Sequence, residues 1–162
     1  MDEQRAARAA ERIEAVRFEV VRPVRGRVLF PSLPAEVAAF DGDAHERAGH
    51  FGAFVSHAVA GVISTWPQAP SLLEGADLKG ADLDAAWRLR GLAVDESARL
   101  MGLGLALIER ALDHGARHGA VLHWATASVL AMGLWQRAGF SSFGEAHHEP
   151  GHGDWILMFA RA

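Results

Sequence analysis

The sequence predicts a single α/β domain built on a mixed, mostly antiparallel sheet with flanking helices. Three observations carry that prediction. A strand, a glycine-led helix and a second strand follow one another over residues 85–128, the order of a crossover connection. Ahead of it, residues 51–66 alternate like the arms of a hairpin, and behind it two short strands close the chain. The 162 residues suit one domain with a proper core, and with half of them apolar the composition is ordinary for a globular protein.

Each element has its own signal. Residues 3–16 place Ala6, Ala10, Ile13 and Val16 at near-helical spacing, so residues 1–16 are expected to form a helical extension of the domain. "RFEVVRP" (17–23) alternates and predicts a strand stopped by Pro23. Pro31, Pro34, Gly42 and Gly49 mark a loop, with a short helix around residues 34–40. In the hairpin, Phe51, Ala53 and Val55 alternate on one arm, and Val59, Val62 and Ser64 lie on the other. Its turn, near His57, lacks Asn-Gly chemistry. Residues 70–82 predict a loop or irregular helix. "AAWRLRGLAV" (85–94) is the clearest strand, with Trp87 and Leu89 facing away from Arg88 and Arg90. That arginine pair is expected on a solvated or helix-covered face.

A helix follows from about 102 to 114, with Leu107, Ile108, Ala111 and Leu112 as its apolar stripe and Gly115 and Gly119 as stop signals. "AVLHWATAS" (120–128) is a strand, and residues 129–139 a short helix closed by Gly139. "FSSFGEAH" (140–147) and "DWILMFARA" (154–162) are the closing strands. Trp66, Trp87, Trp124 and Trp155 are assigned to the core or to sheet faces.

Composition removes several functions. Net charge is −4, Lys79 is the single lysine and no basic stripe appears, so nucleic acid is not an expected partner. Without cysteine there is no disulfide, thiol nucleophile, thiolate zinc site or iron–sulfur cluster. "MDEQRAARAAERIEAVR" has no apolar centre and does not resemble a secretory signal. No apolar run approaches the roughly 20 residues a bilayer span needs. A cytoplasmic protein that does not engage membranes is expected.

Within "ARLMGLGLALIERAL" (98–112), Gly102 and Gly104 stand where a helix begins, although glycine costs roughly 1 kcal/mol against alanine in a helix. A helix N-terminus offers unpaired N–H groups and partial positive charge, and glycine removes the Cβ that would hold a phosphate away. Arg99 adds a full positive charge nearby. A nucleotide P-loop would need Lys and Ser or Thr after the glycines, and a dinucleotide fingerprint a third glycine at 107, which is leucine. Neither pattern fits.

The series Arg99, Leu100, Met101, Gly102, Leu103, Gly104, read R-x-x-G-x-G, resembles the acyl-CoA pyrophosphate loop of the GNAT superfamily of N-acyltransferases. "WRLRGLAVDESARLMGLGLALIERAL" and "SVLAMGLWQRAGF" are similar to that family's central strand, loop and helix, and to the segment that follows. The resemblance implies a GNAT-like fold and transfer of an acyl group, acetyl first of all, from acetyl-CoA to a primary amine in a ternary complex, without a metal. It places the pyrophosphate on backbone N–H groups from Arg99 to Leu105. It pairs Leu92, Ala93 and Val94 with the pantetheine amides, and lets an N–H at Leu92 or Ala93 polarise the thioester carbonyl. Pantetheine and amine would meet in a V-shaped gap between the strands at 85–94 and 120–128.

Three positions depart from the family pattern. The chain has no tyrosine, and Trp135 stands where the acid that protonates the departing sulfur is often found. Tryptophan donates a hydrogen bond but no proton. Ser128 stands where asparagine is frequent, and Leu100, Met101 and Leu105 leave Arg99 nearly alone as a cation in the loop. For the base that takes the amine proton, His123 is the first candidate, since neutral imidazole is available at pH 7. Glu96 is expected as a solvated loop charge, and Glu145, His147 and Glu149 could line the acceptor side.

"HHEPGHGDW" (147–155) offers His147, His148, Glu149, His152 and Asp154, yet Pro150, Gly151 and Gly153 mark a hairpin loop and the spacing matches no established zinc site. The acceptor is left open between a small amine, an amino acid and a protein N-terminus. A CoA-binding module without turnover is the alternative from another class, and a metal-dependent hydrolase a third. A homodimer through the closing strands and "ISTW" (63–66) is a further expectation.

Overall fold

The computed structural model describes residues 11–70, 83–151 and 153–162. One seven-stranded sheet runs through it in the order β1-β2-β3-β4-β5-β7-β6. The strands are β1 Glu11–Ala15, β2 Gly49–Val55, β3 Ala58–Pro67, β4 Ala86–Val94, β5 Leu122–Ser128, β6 Ser141–Glu149 and β7 Gly153–Arg161. Among the described residues three α-helices accompany them: α1 Phe18–Leu29, α2 Leu103–Arg117 and α3 Met132–Arg137. Among the described strands only β4 and β5 pair in parallel, as the α2 crossover requires. The mixed sheet with flanking helices expected from the sequence is the fold observed.

The N-terminal expectations are corrected. Residues 11–15 form an edge strand paired with β2, with Ile13 opposite Ala53, and not the end of a helix; the first part of the expected extension lies outside the described residues. Residues 18–23 begin a helix and not a strand, and Pro23 sits inside it on the exposed side. There its missing N–H leaves a carbonyl that water can reach. The inward face of α1 carries Val21, Val24 and Arg25. An arginine among the valines disguises the apolar stripe, which explains the misreading. The expected loop at 70–82 falls almost wholly outside the described residues.

The β2–β3 hairpin turns on Ser56 and His57, both at positive φ (49° and 75°). Two such residues make the mirror-image turn whose twist matches the flanking strands, and here it forms without its favoured Asn-Gly. The main core lies between the sheet and α2, where Leu103, Leu107, Ile108 and Ala111 meet Phe51, Ile63, Leu89 and Met158. Each such aliphatic side chain, fully buried, contributes about 1.5–3 kcal/mol. A smaller cluster on the opposite face joins Val21 and Val24 of α1 to Val62 and Ala93. The segment 63–66, expected to support a dimer, is buried within the sheet.

Candidate active site

Two strands that should pair instead part. The parallel register of β4 and β5 covers Ala86↔Leu122, Trp87↔His123 and Arg88↔Trp124 and then ends. Beyond it β5 bonds only to β7, and β4 only to β3. The edge of β4 from Leu89 to Val94 therefore faces a gap opening toward the start of α2.

A bulge lies in the middle of this edge. The β3–β4 register shifts between Val62 and Ser64, so Ile63 stands opposite both Gly91 and Leu92, and Gly91 adopts φ +72°. A Cβ at Gly91 would come within 2.8 Å of Arg25 Nε and 3.0 Å of Phe40, so glycine is required there twice over. After the bulge Leu92 and Val94 pack toward the α2 face, while Ala93, 2% exposed, packs toward α1. The side chains are thus inside, and what this stretch offers the gap is its main chain. Asp95 ends the strand, clamped by Arg27 through bonds of 2.9 and 2.7 Å that hold its carboxyl below the usual range.

The glycine loop has the form of an anion cradle. Leu100 and Gly102 both sit at positive φ (65° and 80°), on either side of Met101. Alternation of this kind turns successive N–H groups toward one concavity. The first helical bond runs from the Ala106 N–H to the Gly102 carbonyl, at 3.2 Å, so the N–H groups of Leu103, Gly104 and Leu105 have no helical acceptor. No side chain caps them, and no acid occupies the first turn. The two glycines differ. Nothing lies within 4 Å of a Cβ on Gly102, whereas one on Gly104 would press Leu134 Cδ2 at 3.0 Å. Gly102 therefore provides conformation and open space; Gly104 lets α3 pack close.

Arg99 corrects one expectation in part: its backbone N–H donates to the Glu96 carbonyl at 3.3 Å, which removes it from the cradle. Its exposed guanidinium has no acidic partner among the described residues. The remaining donors, the space beside Gly102 and the exposed Arg99 guanidinium suit a diphosphate.

Other expected site residues fall in different places. The Ser128 hydroxyl accepts the Leu130 N–H at 3.3 Å and caps the turn leaving β5. Trp135 is 4% exposed in the main core, edge-on to Phe140 at 5.0 Å, so its indole is a packing element. His123 lies at the paired end of β5, beneath Gly115 and away from the gap. It is 1% exposed, its Nε2 has no partner, and burial pushes its pKa down to about 4. Such a group is a poor base for an amine, and the geometry corrects that expectation. Glu96 is an exposed loop residue, as expected, and Glu145, His147 and Glu149 are exposed on β6. His147 stacks on Trp155 at 4.4 Å and His148 Nδ1 pairs with Asp154 Oδ1 at 2.7 Å, while His152 lies outside the described residues. Among the described residues, no three His, Asp or Glu come together as metal ligands.

A feature that sequence reasoning missed lies on the α1 face. A pocket of about 510 Å³ is lined by Asp41, His45, Trp66, Gln68, Arg88 and Arg90, among others. Gln68 ties two indoles together: its Oε1 accepts from Trp66 Nε1 and its carbonyl from Trp124 Nε1, both at 2.8 Å. Arg88 lies 4.7 Å over the Trp124 ring and Arg90 4.0 Å over Phe40. The signal in the sequence was two arginines on one side of an apolar strand, with no acid in that strand to match them.

A family model described as the acetyltransferase (GNAT) family matches residues 13–140. The chain belongs to this family. A curated relative, the uncharacterized N-acetyltransferase YitI of Bacillus subtilis, is 29% identical over 147 residues, covering 91% of this chain and 93% of its own. A Bacillus subtilis acetyltransferase solved in complex with CoA superposes with a TM-score of 0.65 at 18% identity, over 94% of this chain and 99% of its own. The ribosomal-protein-S18-alanine N-acetyltransferase of Escherichia coli superposes at 0.68 and 19% identity, over 93% of each chain. As a GNAT acetyltransferase the protein uses acyl-CoA, and the strand gap and glycine cradle of this chain fit that co-substrate. No helix among the described residues is long and apolar enough to cross a membrane.

Proposed function

We propose that this GNAT protein transfers an acetyl group from acetyl-CoA to a primary amine by direct attack within a ternary complex. The observation that carries the proposal is the parting of β4 and β5 after Arg88 and Trp124, directed at the uncapped start of α2. The N–H groups of Leu100 to Leu105 take the diphosphate, with Arg99 beside it. The main chain of Leu92, Ala93 and Val94 bonds the pantetheine amides as an added strand would, and Ser128 closes the far side of the gap. The Leu92 N–H, beside the bulge, polarises the thioester carbonyl, the role of an oxyanion donor.

In the chemical step the neutral amine attacks the thioester carbon, the C–S bond breaks, and the amide and CoA thiolate form. One proton leaves the amine and one is taken up by sulfur. With His123 enclosed, the amine proton goes to solvent in the gap. A thiol pKa of roughly 8.5 lets the thiolate leave near neutrality without a protein acid. Absence of that acid costs about 10²–10⁴ in rate without abolishing the reaction. The chain has no cysteine for an acyl-thioenzyme, which supports direct attack.

The burial of Trp135 favours a second reading, a module that binds acetyl-CoA without turning it over. A broad panel of amines assayed for thiol release separates the two. Both readings expect acetyl-CoA to raise the melting temperature, but only the enzyme releases CoA faster when an amine is added. Silence across the panel supports the module.

A further inference from the structure

We infer that the pocket on the α1 face is the acceptor subsite, and that it selects amines carrying a carboxylate by pairing that group with Arg88 and Arg90. This rests on the transferase reading for the amine and goes beyond it for the anion.

Charge accounting around the pocket supports it. Three guanidiniums cluster on this face: Arg25, Arg88 and Arg90. Arg25 is matched, since Asp43 takes it with both oxygens at 2.7 and 2.8 Å. Those oxygens bond Arg25, and Oδ2 also accepts the Phe40 N–H at 2.7 Å, so Asp43 acts on Arg90 through space and not through a direct bond. The Arg88 side chain has no ion pair or hydrogen bond among the described residues; its Nε is buried without a partner, as that of Arg25 is, but no carboxylate meets the rest of its guanidinium. Arg90 makes no ion pair either; its guanidinium rests on the Phe40 ring. Asp41 on the rim is the remaining acid that lines the pocket. Among the described residues, Arg88 and Arg90 against the exposed Asp41 leave the cavity about one positive charge in excess, in a protein whose net charge is −4.

Withdrawing a guanidinium from water without a counter-ion is unfavourable, and arginine cannot escape by losing its proton at neutral pH. An incoming monoanion removes that penalty, and a carboxylate matches the planar fork in shape as well. A dianion would overshoot the excess. Trp66 lines the pocket, and its indole N–H is already engaged by Gln68, so it offers ring surface and no competing donor.

Position supplies the second argument. Arg88 is the last β4 residue paired with β5. An anion held on Arg88 therefore sits where the strands begin to part, on the face opposite α2. From there the amine of the same molecule can enter the gap.

The test uses the full chain with acetyl-CoA and matched acceptors: L-leucine with L-leucinamide, L-methionine with L-methioninamide, and L-phenylalanine with L-phenylalaninamide. For at least one pair, the ratio of kcat/KM for acid over amide falls about tenfold or more in Arg88→Gln, the scale of a charge-assisted bond, through KM. Arg88→Lys, which keeps charge but not the fork, gives an intermediate ratio and covers the case of a poorly folding glutamine variant. A melting-temperature rise with acetyl-CoA shows that each variant is folded.

A second measurement needs no turnover: calorimetric binding of the three N-acetyl amino acids and their amides in the presence of CoA. If no amine is acetylated but the N-acetyl acids bind wild type and not Arg88→Gln, the transferase reading fails and the anion subsite stands. An unchanged ratio in both variants, or equal binding of acids and amides, overturns the inference. Tighter binding of O-phosphoethanolamine than of any carboxylate overturns the choice of a monoanion.

Discussion

Arg25 and Arg88 lie on the same face of one sheet, the first fully buried and the second half-buried, and their surroundings could hardly differ more. Arg25 is fully buried and donates to both Asp43 oxygens, to the Ala38 carbonyl at 3.0 Å and to the Ser64 hydroxyl at 2.6 Å. Beyond Ser64 the chain of bonds continues to His50. The His50 Nε2 donates to the Asp43 carbonyl at 3.1 Å, so its Nδ1 accepts the Ser64 hydroxyl at 2.7 Å. Burial lowers the His50 pKa, which favours that neutral form. The network fastens the 38–45 loop, one wall of the pocket, to α1 and the sheet. Arg88 has an aromatic ring beneath it and no acid, and burial followed by the charge of Arg90 pushes its pKa down to about 10. A buried cation with every acid near it engaged is structure; one left facing a cavity is a site. His123 is a third case, a buried base that meets the same cost by giving up its proton.

The sharpest break of this contrast is Asp43→Ala, which strands the Arg25 charge in the core. Loss of one partner from a buried pair costs about 3–5 kcal/mol. Urea unfolding should show that loss; a change below about 1 kcal/mol would mean the network is ornamental.

His123 sharpens the comparison through pH. The unfolded chain takes up the proton near pH 6.5 and the folded chain resists until about 4. Stability is therefore whole above 6.5 and declines as pH falls toward 4, by roughly 3 kcal/mol at 1.36 kcal/mol per unit. Denaturation curves of wild type and His123→Leu across that window should diverge, the variant being flatter. Parallel curves would assign the acid sensitivity to other groups.

Next in size is the cradle on the opposite face, which uses backbone where the α1 face uses side chains. The double variant Gly102→Val with Gly104→Val should lower acetyl-CoA affinity by about tenfold or more, equivalent to 1.4 kcal/mol. Valine at φ +80° adds about 1–2 kcal/mol of strain. Calorimetry reads the first effect and thermal melting the second; full affinity in a folded variant would remove the phosphate role.

The smallest effect is the counterpart of the first. Arg88→Met removes a charge that has no partner, so stability should change by less than about 1 kcal/mol or rise. A loss as large as that of Asp43→Ala would show that Arg88 is held by the fold after all, and the two arginines would no longer differ in kind.

Much of this architecture was legible in the linear chain because local pattern and tertiary role agreed. The hairpin, β4, the stripe of Leu107, Ile108 and Ala111 on α2, and the closing strands all followed their periodicity. The strand–glycine–helix order located the glycine loop at the start of α2. The failures came where a neighbour distant in sequence overruled the pattern. Arg25 points inward because Asp43 meets it eighteen residues later. Glu11–Ala15 is a strand because β2 offers an edge there. The enclosure of His123 and Trp135 depends on packing by α2 and α3 that no local window contains.

By itself, then, the sequence determined the order of elements, the glycine-led start of α2 and the absence of thiol chemistry, since these depend on residue type and spacing within a dozen positions. Tertiary structure alone decided where β4 and β5 separate, which arginine finds an acid and which nitrogen loses its proton. Those outcomes depend on distance and on exclusion of water, and both arise only when segments far apart in the chain close on one another.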